Sequence, residues 1–257
     1  MIMPMVYTVS SAFKPLNELF LFPPTFFVRN PTLANFKSLS SVFRGSWVPL
    51  SRYVFNSLFI TVLGTFGHVL VSSMAAFKIS KYNFPGKTAL FNLVVFALMF
   101  SPAVTAIPNY IIMSKIGFIN TYWAVIIPAF GSSLGLFLMK QFMDSMVPDS
   151  ILEAARIDGA GEFQIFSKVV LPLVKPAWLT LIIFSFQSLW GTTGGAFIFD
   201  EEYKTLPYAM SSIVSAGISR TGVAAVIAVI MLFPPITVFL ITQSNVMETM
   251  ATSGIKD

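Results

Sequence analysis

Three places in the chain hold residues of the kind that do chemistry, and each implies a different reaction. His68 is the one conventional acid–base side chain within five charge-free runs at 53–77, 88–114, 116–139, 176–199 and 221–247, so a proton relay through them would have to use it. Gly131-Ser132-Ser133-Leu134-Gly135 fits the G-x-S-x-G pattern of a serine nucleophile on a sharp turn. Gly86-Lys87-Thr88 looks like the end of a phosphate-binding loop.

The elements that must position these residues decide against all three. A nucleophile elbow belongs between a strand and a helix, whereas Gly131–Gly135 lies inside an apolar run. Its glycines also satisfy G-x-x-x-G, a spacing that lets helices approach closely in lipid. The phosphate cradle fails because the first glycine it needs falls on Lys81. A relay needs partners that titrate, and the five runs contain no carboxylate, so His68 reads as a hydrogen-bonded residue between helices. With one histidine and no cysteine, zinc, iron–sulfur and disulfide chemistry have no ligands, and no H-E-x-x-H pattern occurs.

Composition explains why apolar runs dominate. Of 257 residues 55% are hydrophobic and 11% charged, and the mean hydropathy is +0.78, more apolar surface than a soluble core can hide. The chain reads as an all-α, polytopic transmembrane helical bundle. Each run is long enough to cross a bilayer as a helix. Residues 1–13 are apolar but too short to cross, and are expected to be the end of a truncated first helix, giving six. No basic segment precedes them as in a signal peptide. The net charge of +5 is spread over the loops, which suits anionic lipid headgroups and not nucleic acid.

Between the first helix and the second, residues 14–52 carry Pro15, Pro23, Pro24 and Pro31 with interleaved phenylalanines. Repeated prolines exclude one continuous helix, and the aromatics suit a headgroup-level loop. Lysine and arginine do not orient the bundle by number: eight lie on the side of 78–87, 140–175 and the C-terminus, and eight on the other. Lys78, Lys81 and Lys87, crowded into one short loop, favour the first side as cytoplasmic.

The long hydrophilic insert Ser150–Pro172, SILEAARIDGAGEFQIFSKVVLP, organises the rest. Ser150 and Glu153 have capping-box spacing, Gly159-Ala160-Gly161 supplies a stop, and a second short helix is expected to run to Pro172. Glu153-Ala154-Ala155, Gly159, Val169 and Leu171-Pro172 fall at the spacing of the EAA loop in permease subunits of binding-protein-dependent ABC importers, which the chain resembles. That family usually has Ile at the position of Val169. The resemblance extends to Ile107-Pro108-Asn109-Tyr110, Gly117–Thr121 and Lys204-Thr205-Leu206-Pro207, which look like the carbohydrate-uptake (maltose-type) class with the MetI-like fold. The tail 248–256 is similar to an oligosaccharide subgroup. Trp190-Gly191-Thr192-Thr193 departs from the Trp-Asn-Asp-Phe common there, so a maltose-type substrate does not carry over.

The resemblance implies one permease domain over 1–257 with a cytoplasmic coupling loop at 145–175, in the bacterial plasma membrane with the C-terminus also cytoplasmic. It implies docking of Glu153, Ala154, Ala155, Arg156, Asp158, Gly159, Leu171 and Pro172 on an ATPase, with Glu153, Arg156 and Asp158 as polar contacts and Ala154 and Ala155 allowing close approach. Partners are then a homologous second permease, two ATP-binding cassette subunits, an extracellular solute-binding (lipo)protein that could contact 14–52, and membrane lipids, with no nucleic acid. The chain itself would bind no cofactor and would not be an enzyme; ATP and Mg would sit on the partner ATPase.

Proline interruptions at Ser101-Pro102, Pro108, Pro128 and Pro234-Pro235 fit a translocation path and plain helix packing alike. Asn56, Asn92, Asn109 and Gln187 place amides in the runs. Tyr110, Phe186, Gln187 and Trp190 are the candidate lining, since aromatic faces and amides suit a neutral carbohydrate. An ATP-independent secondary transporter or channel is the alternative function, disfavoured by the missing carboxylates, and a membrane scaffold is a third class.

Overall fold

The computed structural model describes the backbone of residues 3–253 and the side chains of residues 3–243. Of the tail motif at 248–256, the side chains and the last three residues lie outside the described residues. Every regular element among the described residues is helical; the longer ones are α1 (Met3–Phe13), α2 (Ala34–Arg44), α3 (Leu50–Lys81), α4 (Lys87–Ala97), α5 (Pro102–Ile116), α6 (Trp123–Phe130), α7 (Ser133–Met146), α8 (Asp149–Ile157), α9 (Lys175–Trp190), α10 (Leu206–Ser215) and α11 (Thr221–Ser253), with shorter helical pieces and irregular segments between them. Leu50–Lys81, Trp123–Met146 and Ile218–Gln243 are long and apolar enough to cross a membrane. Counting each of two bent pairs as one span raises the number to five.

The bends and boundaries depart from the uniform runs expected. Residues 88–114 form two helices meeting at 112°, because Ser101-Pro102 starts a new helix instead of kinking an old one. Pro102 lacks an N–H to continue α4, and Ser101 Oγ caps α5 by accepting from Ala103 N at 3.4 Å. The run 116–139 begins as a helix only at Trp123, after Gly117 and Asn120 turn the backbone through φ of 80° and 63°. α7 then continues to Met146, past the end of the charge-free run. The helix expected at 176–199 stops at Trp190. Beyond it Thr192 and Thr193 hydroxyls accept from the Gly194 and Gly195 amides at 3.4 Å each, and both glycines have positive φ. Gly131 and Gly135 do not share a continuous helix, since α7 starts at Ser133.

Contacts gather the chain into two compact units, each with its own interior. The first joins the described part of Met1–Phe59 to Trp190–Thr237. Its polar stretch is pinned by buried side chains that bond to backbone: Asn35 Nδ2 donates to the Ala12 and Lys14 carbonyls at 2.9 and 2.8 Å, and the Glu18 carboxylate accepts from the Arg29 and Asn30 amides at 2.6 and 3.2 Å. The same device holds residues 201–206 against the start of α3. Asn56 Nδ2 donates to the Glu202 and Lys204 carbonyls at 2.7 and 2.8 Å, Ser57 Oγ accepts from Leu206 N at 2.7 Å, and Tyr53 OH donates to Glu201 at 2.5 Å.

The second unit joins Ile60–Leu189 to the described part of Val238–Asp257. Its core is apolar: Ala76 and Phe77 of α3, Met139 and Met143 of α7, and Ala177 and Leu181 of α9 close on Leu152, Ile165, Phe166 and Val170 of the hydrophilic insert. Close approach in this unit depends on glycine. A Cβ on Gly64 would lie 2.6 Å from Leu189, and one on Gly67 would lie 2.1 Å from Phe130.

Candidate functional site

The insert is built as a short helix, a glycine turn and a widened helix. α8 starts one residue before the expected capping box: Pro148 occupies the cap position, no side chain caps, and Ser150 lies within the first turn. Pro148 enters extended and Asp149 supplies the negative charge favoured at a helix start. The stop falls where expected. Gly159 N donates to Arg156 O and Ala160 N to Ala155 O, each at 3.0 Å, the paired bonds of a Schellman end, with Gly159 at φ +80°.

The second segment does not run as one helix to Pro172. After Glu162–Gln164 the backbone widens into a π-helix over Ile165–Val170, then tightens for Leu171–Leu173 before a 79° bend into α9. Proline explains the widening, because an α-helical Pro172 would press its ring on the carbonyl four residues back. Trp178 Nε1 donates to Leu171 O at 3.1 Å, so a carbonyl beside the bend keeps a partner.

Burial divides the insert into a seated face and a presented face. Leu152, 2% exposed, and half-buried Ala155 and Leu171 pack on the core with Ile165, Phe166 and Val170. Phe166 meets the Phe77 ring at a centroid distance of 5.5 Å. Glu153, Ala154, Arg156, Asp158, Gly159 and Pro172 are exposed. Ala154 and Ala155, paired in the expectation, therefore point to different surroundings. Arg156 Nε lies 3.3 Å from Glu162 Oε1, and its Nη2 lies 3.4 Å from the Tyr82 hydroxyl. Lys81 Nζ meets Asp149 Oδ1 at 2.9 Å, Lys78 sits over the Tyr82 ring at 3.6 Å and Lys87 donates to Ser80 O, so the crowded lysines belong to the same end of this unit as the insert.

Ile157 and Phe163 are two presented residues the motif reading passed over; they are 86% and 75% exposed on either side of Gly159. The signal was present, since Ile157 breaks the three-to-four spacing that puts Leu152 and Ala155 on one face.

The candidate lining residues behave differently from one another. Tyr110 on α5 and Gln187 on α9 are exposed, whereas Phe186 and Trp190 are buried. Trp190 Nε1 donates to Met231 O of α11 at 2.9 Å, so its indole N–H bonds within its own unit.

The sequence profile for "binding-protein-dependent transport system inner membrane component" matches residues 7–248. The chain belongs to this family. Among its relatives, the polygalacturonan/rhamnogalacturonan transport system permease protein YtcP of Bacillus subtilis is 30% identical over 74% of this chain and 64% of its own length, so the match spans under two thirds of that relative. The arabinooligosaccharides transport system permease protein AraQ of Halalkalibacterium halodurans is 26% identical over 99% of this chain and 91% of its own. The crystal structure of a bacterial ABC transporter involved in the import of the acidic polysaccharide alginate overlays with a TM-score of 0.81 at 21% identity, covering 95% of this chain and 90% of that one, and establishes a shared fold.

Proposed function

We propose that the chain is one permease subunit of an ATP-driven importer, forming half of a path for a sugar or oligosaccharide handed over by an extracellular binding protein. The observation that carries the reading is the insert's division of labour: one face shares a buried core with α3, α7 and α9, and the other presents charges and two large apolar side chains. A partner that pushes on the outer face moves the helices with it, because close-packed interiors transmit displacement.

In this reading residues 1–257 are one permease domain and 145–175 its coupling loop, cytoplasmic together with the C-terminus. The two bent pairs each count as a crossing, with Met3–Phe13 in a sixth. Glu153, Ala154, Arg156 and Asp158 meet the ATPase beside Ile157 and Phe163, Ala155 and Leu171 seat the loop, and Gly159 and Pro172 shape its turn and joint. A second related permease, two ATPase subunits carrying ATP and Mg, and the binding protein complete the assembly, while this chain itself is not an enzyme. The names of the relatives support a carbohydrate solute; Tyr110 and Gln187, both exposed, are the proposed contacts for it, and Phe186 and Trp190, both buried, are not.

A gentle-detergent pull-down of the tagged chain from its native membrane, with an ATPase assay, tests the reading. An ATP-binding subunit and a second permease should co-purify, and Gly159→Asp should release the ATPase. A chain that emerges alone would sink the importer reading and make an ATP-independent transporter the better one.

A further inference from the structure

In the second unit a groove of about 440 Å³ opens where α3, the end of the insert and the start of α9 meet. Phe66, Val69 and Leu70 of α3, Leu171 of the insert and Trp178 of α9 form apolar walls, and among the described residues that line it Lys175 alone is charged. Trp178 Nε1 donates to Leu171 O at 3.1 Å, so the indole is a fixed wall. The two lining serines turn their hydroxyls into their own helices: Ser73 Oγ donates to Val69 O at 2.5 Å and Ser167 Oγ to Phe163 O at 2.7 Å. A ligand in the groove would therefore meet an apolar trough and one cation.

The order of these residues along the helices matters as much as their types. Lys175 is exposed and stands immediately before the charge-free run 176–199. From Ser73 back to Phe66, α3 rises about 10 Å at 1.5 Å per residue, into the middle of the charge-free run 53–77. The groove thus runs from headgroup level at Lys175 to hydrocarbon depth at Phe66. A cation at the mouth and apolar walls below it match the order of groups along a phospholipid, phosphate first and acyl chain after. An ammonium carries three N–H donors, so a contact within the chain still leaves donors for phosphate oxygens. Basic pockets between membrane helices take anionic headgroups, and no carboxylate stands among the described lining residues to oppose one. A zwitterionic headgroup would bring its own cation towards Lys175. An apolar helix of a partner would cover the walls and leave the charge unmatched.

We propose that this groove seats one anionic phospholipid, its phosphate on Lys175 and one acyl chain along Phe66, Val69, Leu70 and Trp178. The site rests on α9 crossing the membrane, as the importer reading has it, and not on coupling to an ATPase.

The test uses the chain purified gently from its native membrane with the proteins that accompany it and placed in phosphatidylcholine nanodiscs. These carry a trace of phosphatidylglycerol or phosphatidylcholine with a photoactivatable diazirine in the same acyl chain. Cross-linked peptides are mapped by mass spectrometry, and labelling at Val69, Leu70 and Trp178 is taken relative to labelling elsewhere on the chain. Phosphatidylglycerol should label the groove roughly fivefold more than phosphatidylcholine, the preference expected of one lysine at the membrane surface. Lys175→Gln should abolish the preference while phosphatidylcholine labelling stays as it was, which shows the groove intact, and Lys175→Arg should keep it. Leu70→Trp, which fills the groove from an exposed position, should cut labelling at Trp178 with Lys175 untouched. Equal labelling of the unaltered chain by the two lipids overturns the proposal and leaves only lipid that surrounds the whole protein. No groove labelling by either lipid also overturns it, and assigns the groove to a partner helix. If an ATPase accompanies the chain in those cases, the importer reading stands and this inference alone fails.

Discussion

Two connections between helices, the insert at 149–173 and the segment at 201–206, solve the same problem by opposite means. The insert turns apolar side chains inward onto Phe77, Met143 and Leu181 and leaves its polar groups outside. The 201–206 segment is held by polar side chains of α3 that reach for its backbone carbonyls and amide. Apolar burial is non-directional, so the insert can shift as a body with the helices it packs on. Hydrogen bonds to named carbonyls are directional and fix one register. The difference suits a connection that transmits force and one that closes a structure.

The strongest way to break this comparison is within the insert itself. Phe166→Ala removes a buried ring and should cost about 3–5 kcal/mol, read as a lowered unfolding temperature in detergent. Phe163→Ala removes an exposed ring and should leave stability within about 0.5 kcal/mol while weakening ATPase capture. Equal losses of stability from the two would show that the insert has no seated and presented faces.

Asn56→Ala sharpens the other side. It leaves the Glu202 and Lys204 carbonyls without their buried donor, at a cost of about 2 kcal/mol. The damage should be local, with faster protease cleavage at 201–206 and unchanged cleavage in the insert. Uniform loosening of both would mean that the segment is not held separately.

Gly159 comes next. Open space surrounds the position of a Cβ there, so Gly159→Ala meets no clash and loses only about 1–2 kcal/mol from its φ of +80°. Uptake should persist in part with Ala and vanish with Asp, which adds a charge to the presented face. Normal uptake by the Asp variant would show that this turn does not meet the ATPase.

The sequence announced the insert more clearly than the helices. Gly159 ended α8 where spacing said it would, because a left-handed turn has one inexpensive residue. The capping box at Ser150 did not form, since Pro148 already set an extended entry and placed Ser150 inside the helix. Hydropathy marked where apolar chain lies but not its direction, so the 112° bend at Ser101-Pro102 was legible only as a kink. The roles of Asn56 and Ser57 could not be read at all, because their partners are backbone atoms about 150 residues away whose availability depends on tertiary structure.

The smallest expected effect concerns pH and the 201–206 segment. Burial works against the charge on Lys204, but hydrogen bonds to Tyr208 at 2.7 Å and Glu201 at 3.0 Å, with the charges they carry, outweigh it and raise its pKa above the ordinary lysine value. A raised pKa means that the folded chain holds this proton more tightly than the unfolded one, so the contribution is complete below the unfolded lysine value of about 10.4 and declines as pH rises through the folded one. Protease resistance of the segment should therefore be flat from neutral pH to about 10 and fall above it. Lys204→Met should lower the plateau slightly, since Glu201 is partly solvated, and should make the alkaline fall shallower. An unchanged alkaline slope in that variant would assign the fall to other groups and leave the segment held by its remaining hydrogen bonds, those of Asn56, Ser57 and Tyr53 among them.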